Sequence, residues 1–295
     1  MARLTIPHYL VLGASLAAIV LLGFGKTTPA ADSRFMKTEA AMPGNRKPAA
    51  SEGRTVDVQL GEARKRYPSD LLRKVESLEA LISTDRDAVR RSMAYDSLSV
   101  LLGRSNEVVA AAWYQQQKAE KNNGAANDWA KAGERWWSSV RFVKNENDHP
   151  ALYESALHCF SKALELEPDN ISAKVGMGVC YVEATSEPMK GITLLKEVLA
   201  TDSTNVDALL NLGMFAERSG QYDKALERYA AILRFHPEYT SIWLKVAEVY
   251  ETQGNLVMLQ RTLEKYLEVE TDPVMRNDIE NYLNKLKKQN TNQKN

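Results

Sequence analysis

The feature that most constrains this chain is an internal period of 34 residues in its second half. Ala208, Leu212, Gly213, Tyr222, Ala225, Tyr229, Ile232 and Pro237 form one unit, and one period later stand Ile242, Val246, Ala247, Leu256, Leu259, Leu263 and Tyr266. Only the last position, Thr271, leaves the pattern, with Pro273 two residues on. Towards the N-terminus, Ala173, Met177, Gly178, Tyr181, Gly191, Leu195 and Val198 repeat it with one extra loop residue, and Ser203 replaces the proline. Earlier still, Trp129 to Trp136 supplies a first helix. Tyr153, Ala156, Phe160, Ala163 and Pro168 supply a second, parted from the first by an insertion around Val143 to Pro150. A unit of this length holds two amphipathic helices and cannot bury its apolar face alone, so neighbouring units must stack.

These residues resemble the tetratricopeptide repeat (TPR) family, whose unit carries W-x2-L-G-x2-Y, then A-x3-F, then P. The resemblance covers residues 126 to 273. The pattern has a physical reason at each piece: Gly or Ala at the eighth position lets two helices approach closely, the later Ala does the same, large residues fill between them, and proline ends the second helix. It implies an all-α fold, a TPR-like α-solenoid of helical hairpins. Apolar periodicity places further helices at Asp70 to Thr84 and Asp87 to Leu102, and with Glu107 to Lys118 they look like a degenerate first repeat plus an N-terminal helix. Asp272 and Pro273 start a last, capping helix with Val274, Ile279, Leu283 and Leu286 expected inward and Arg276, Asp278 and Lys285 exposed.

From Leu4 to Gly25 runs a stretch of about 22 residues without Asp, Glu, Lys or Arg, preceded by Arg3 and followed by Lys26. It is long enough to span a bilayer, and Thr28-Pro29-Ala30 also offers a cleavage site, so it reads as a transmembrane anchor or a signal segment. The expected organisation is therefore 1–25 anchor or signal, 26–58 linker, 59–125 helical region with a degenerate repeat, 126–272 TPR repeats, and 273–295 capping helix and polar tail. A short N-terminal tail before the apolar stretch looks like a bacterial export signal, which places the bulk of the chain in the periplasm, anchored to the membrane.

Thirty-eight basic and 38 acidic residues cancel, which argues against the broad positive field of a nucleic-acid binder. A local run, Arg64, Lys65, Arg66, Arg73 and Lys74, reads either as a solvated helix face or as a place for anionic lipid headgroups. Cys159 and Cys180 are too few for a disulfide framework and read as free, buried residues. His158 and Cys159, adjacent on one helix, point about 100° apart and make no base and nucleophile pair. Gly25-Lys26-Thr27 lacks the earlier glycine of a phosphate loop. No catalytic residue, metal or cofactor is expected.

The family resemblance implies that the first helix of each hairpin lines a concave groove taking extended peptides or a partner's helix. The groove residues are then Glu134 and Trp137; Val175 and Val179; Leu210, Met214 and Glu217; and Leu244, Glu248 and Glu251. Family members that clamp a peptide carboxylate use Lys, Asn and Arg at five positions, here Val175, Val179, Asn211, Ser241 and Lys245, which do not make that clamp. The acidic end of the groove favours a neutral or basic ligand. Trp137 follows Trp136 by one position and faces either the insertion, as packing, or a bound segment, as an anchor. The expected function is a membrane-tethered adaptor for protein partners in the cell envelope. The alternative is a permanent structural subunit of an envelope or secretion complex.

Overall fold

The computed structural model describes residues 54–121 and 124–293, with side chains to residue 288. Among these residues the chain forms thirteen α-helices and no strand. They are α1 Val56–Lys65, α2 Ser69–Thr84, α3 Ala88–Arg104, α4 Val108–Lys121, α5 Ala126–Ser139, α6 His149–Leu166, α7 Ile171–Ala184, α8 Pro188–Thr201, α9 Val206–Arg218, α10 Tyr222–Phe235, α11 Ile242–Thr252, α12 Leu256–Val269 and α13 Pro273–Gln293. Two 3₁₀ turns, Val140–Phe142 and Glu146–Asp148, occupy the insertion between α5 and α6. The expected anchor at 1–25 lies outside the described residues, as does the expected linker up to residue 53. α1 begins at Val56, inside the segment expected to be linker, because Thr55 caps it through its hydroxyl. Among the described residues no helix is long and apolar enough to cross a membrane.

The starts of the helices follow from short polar side chains. Asp87, Asn170, Asn205, Asn255 and Asp272 each accept a hydrogen bond from an amide of the first turn that follows, at 2.8 to 3.1 Å. The turns inside the regular hairpins use glycine for its left-handed conformation. Gly220 (φ 73°) and Gly254 (φ 68°) stand one period apart after α9 and α11, where the next amide bonds back five residues to Ala216 O and Tyr250 O.

Contacts divide the described chain into two compact units, 54–201 and 202–293. In the first, α3 to α8 pack each on the next, α5 also touches α7, α2 lies on α3 and α1 on α4. Its larger core joins Trp136, Leu152, Ala156, Cys159, Phe160, Ala173 and Cys180. The Phe160 ring fills the space that a Cβ would need at both Gly133 and Gly176, so three helices close around one aromatic ring. Trp136 is 1% exposed, and its indole N–H donates to Gln116 Oε1 at 2.6 Å. The insertion ends in Asp148, whose buried carboxylate receives the Arg54 amide at 2.7 Å and its guanidinium at 2.6 and 3.1 Å, fastening the start of α1 beside α6. Burial pushes that carboxyl up, but the Arg54 bonds and charge outweigh it and hold Asp148 below the usual range.

In the second unit α9 to α13 pack in sequence. Gly213 faces the Tyr229 ring, which would lie 2.5 Å from a Cβ at that position. The terminal helix contributes Met275, Ile279, Tyr282, Leu283 and Leu286 to the core with Leu244, Leu259, Leu263 and Tyr266. Val274, expected inward, is 68% exposed, and Met275 takes its place. The cause is the rotation set by the Asp272 cap and by Arg276, whose guanidinium donates to the Leu267 and Glu270 carbonyls at the end of α12.

Candidate functional site

The residues expected along the groove fall into two sets, one in each unit. In the first unit, Glu134 is exposed on α5 and Val175 half-buried on α7. Val179 is only 1% exposed, so it is a core residue and not a groove residue. The reason is crowding: α7 is flanked by α5, α6 and α8, and its Gly178 and Gly191 of α8 bring those two backbones together. Trp137 is half-buried against the Trp136 core, and its indole N–H donates to Glu183 Oε2 at 3.2 Å. Tyr153 donates to the same oxygen at 3.0 Å. Packing thus holds part of the Trp137 side chain, and its indole bond is exposed.

In the second unit, Leu210, Met214 and Glu217 form a half-buried stripe on α9, one helical turn apart. Their counterparts one period on are Leu244, Glu248 and Glu251 of α11. Leu244 is fully buried, in the core to which α13 contributes, so it too is a core residue rather than a groove residue. The capping helix covers the face that a following repeat would cover.

The carboxylates come together. Glu217 accepts from Tyr229 Oη at 2.8 Å, Glu248 from Lys245 Nζ at 2.8 Å, and Glu251 from the Tyr282 hydroxyl. Burial pushes the Glu217 carboxyl up to about 7; Lys245 opposes this and the Glu248 charge adds to it. Burial also pushes Glu251 up to about 7, against the Tyr282 hydroxyl and with Glu248. Lys245 is 5% exposed and, among the described residues, is the single cation bonded into this group. Fully ionised, three carboxylates against one ammonium leave an excess of negative charge in a partly desolvated place. Chemically, that suits a guanidinium or ammonium.

Sequence reasoning singled out Trp137 and the glutamates but missed their partners: Glu183, shared with Tyr153, for Trp137, and Tyr229, Lys245 and Tyr282 for the glutamates. One signal was available, since Glu183, Glu217 and Glu251 recur at the repeat period near the end of the first helix of each hairpin. Their tyrosine partners follow no such period. Elsewhere the chemistry is quiet: Cys159 and Cys180 are free and buried, with both thiols pushed up by burial, and His158 is exposed beside Trp129.

The tetratricopeptide repeat family model matches residues 190–249, α8 to α11. A crystal structure of a tetratricopeptide repeat protein from Parabacteroides merdae aligns at a TM-score of 0.52 with 16% identity, covering 76% of this chain and 83% of that one. Residues 190–249 therefore carry tetratricopeptide repeat sequence, within a chain of that fold. At that identity the likeness is one of fold. YrrB, described as a TPR protein with an unusual peptide-binding site, is more distant, with a TM-score of 0.41, 20% identity, 67% of this chain and 94% of that one. A Haemophilus influenzae protein, provisionally named cytochrome c-type biogenesis protein CcmH, is 30% identical over 106 residues, 35% of this chain. The match spans 22% of that protein's own length.

Proposed function

We propose that this TPR protein is a membrane-tethered adaptor that holds a basic segment of a protein partner, with residues 1–25 as its attachment to the membrane and the repeats outside the cytoplasm. The carrying observation is the α9–α11 group, where among the described residues Glu248 alone of Glu217, Glu248 and Glu251 is bonded to a cation, Lys245, and the other two are bonded to tyrosines, beside the apolar Leu210 and Met214. Apolar side chains hold the partner's non-polar atoms, and the carboxylates select a cation among them. Because a cationic ligand binds the ionised carboxylates, capture strengthens as pH rises through about 7 and the bound state releases protons. The likeness to a provisionally named cytochrome c-type biogenesis protein supports a maturation process in the envelope as the setting.

The test is a photo-crosslinker at Met214 in the full chain, in its own membranes, with the attached protein and peptide identified. The expected product joins Met214 to a lysine- or arginine-containing segment, and the yield falls several-fold in the Glu217→Gln, Glu248→Gln, Glu251→Gln variant. Equal yield from that variant overturns the reading. Loss of c-type cytochromes on deletion of the gene, restored by the native chain, tests the setting separately.

A further inference from the structure

The hairpin of α2 and α3 carries a second surface that the adaptor reading does not use. Its inner side is committed to the core through Leu71, Val75, Leu98 and Leu102. Its outer side is apolar in a regular way: Val89, Met93 and Val100 follow the spacing of one face of α3 and are 67%, 62% and 42% exposed. Beside that stripe, and joined to it by Ser97, an open cleft of about 530 Å³ runs between the two helices, with Leu78 and Leu101 in its lining and Arg73 and Lys74 from α2.

The basic run singled out in the sequence is divided by the fold. Arg64 is held by Glu79 through two bonds of 2.7 and 2.8 Å, so it serves the structure. Arg73 bonds only to the Ser69 carbonyl of its own helix, and among the described residues neither it nor Lys74 is ion-paired. Arg90, at the edge of the apolar stripe, has a side chain 70% exposed and touches Asp85 and Asp87 only at 3.7 Å. Protruding apolar side chains flanked by long cations, of which Arg73 and Lys74 are unpaired among the described residues and Arg90 is loosely paired, are what the boundary of an anionic bilayer accepts. The apolar tips enter the acyl boundary while Arg and Lys reach phosphate.

We propose that the outer face of the α2–α3 hairpin rests on an anionic lipid surface, with Met93 and its neighbours inserted and Arg73 and Lys74 on the headgroup phosphates. This rests in part on the membrane attachment proposed above, since 28 residues separate the uncharged stretch ending at Gly25 from Arg54. The contact itself is made by the hairpin.

The full chain carrying Met93→Cys, labelled with an environment-sensitive dye, is reconstituted with vesicles of neutral phosphatidylcholine and with vesicles that also contain phosphatidylglycerol. Cys159 and Cys180 are buried and remain unlabelled. On the anionic vesicles the dye is expected to be shielded several-fold from an aqueous quencher, and Arg73→Glu with Lys74→Glu to abolish the shielding; Arg73→Gln with Lys74→Gln repeats the test if the reversal variant loses its helical spectrum. Equal quenching on both vesicle types, whether high or low, overturns the proposal. A chain that floats with both vesicles while its dye stays quenched keeps the membrane attachment and loses this contact. A chain that floats and is shielded only with the anionic vesicles keeps this contact and loses the attachment. A photo-crosslinker at position 93 that joins a polypeptide instead of lipid in native membranes overturns the proposal in favour of an acidic protein helix.

Discussion

The two units are built from the same hairpin but handle their polar groups in opposite ways. In residues 54–201 the buried carboxylate, Asp148, is neutralised by the amide and guanidinium of Arg54, and its acidity is enhanced. In residues 202–293 the half-buried carboxylates outnumber their lysine, and Glu217 and Glu251 are pushed up instead. The first arrangement locks a chain segment in place and contributes to the fold. The second leaves uncompensated charge, at a cost in stability when ionised. The comparison teaches that within one fold it is the match of charge to partner, and not burial alone, that decides which way a carboxyl's acidity moves.

The comparison can be tested first where the effect is largest. Trp136→Ala removes a side chain that is 1% exposed and leaves Gln116 without its donor, so the first unit is expected to lose about 3–5 kcal/mol, read as a lowered denaturant midpoint. Gly213→Leu forces the Tyr229 ring away from α9 in the second unit, and about 1–3 kcal/mol of destabilisation is expected. An unchanged melting temperature there would break the assigned helix contact.

Trp137→Ala should cost roughly 1–2 kcal/mol, less than Trp136→Ala, because the ring is half-buried and its indole bond to Glu183 is exposed. A loss as great as that of Trp136→Ala would mean that the insertion and Trp137 form a single core. Partner capture that falls while stability stays intact would restore Trp137 as an anchor.

The smallest effect concerns pH. Glu217 and Glu251 have folded values of about 7, raised above those of the unfolded chain, near about 4.3. The stability they contribute is therefore fully present below the unfolded value and is lost as pH rises through about 7. Glu217→Gln with Glu251→Gln should gain about 1 kcal/mol over the native chain at pH 8, after allowance for partial solvent screening, and nothing at pH 4. Chemical denaturation at the two pH values reads the difference, and a gain equal at both would remove the contrast between the units.

Much of the fold was legible in the residues alone, since the 34-residue period fixes which positions are small and which are large, and the Gly213 and Tyr229 pairing follows from it directly. Helix starts at Asp87, Asn170, Asn205 and Asp272 were equally local, each made by a side chain bonding an amide two or three residues away. The candidate site was legible in its charges but not in its exposure. Val179 and Leu244 occupy positions that the repeat pattern assigns to a groove, yet each is buried, because a helix surface is closed by whichever neighbours happen to pack on it. The terminal helix decided Leu244, and it also brought Tyr282 to Glu251 from 31 residues away. Periodicity in a sequence reports the contacts that recur in every repeat. The hairpin at one end, the cap at the other and the insertion between α5 and α6 occur once, so only the packed structure could say what they cover and what they leave open.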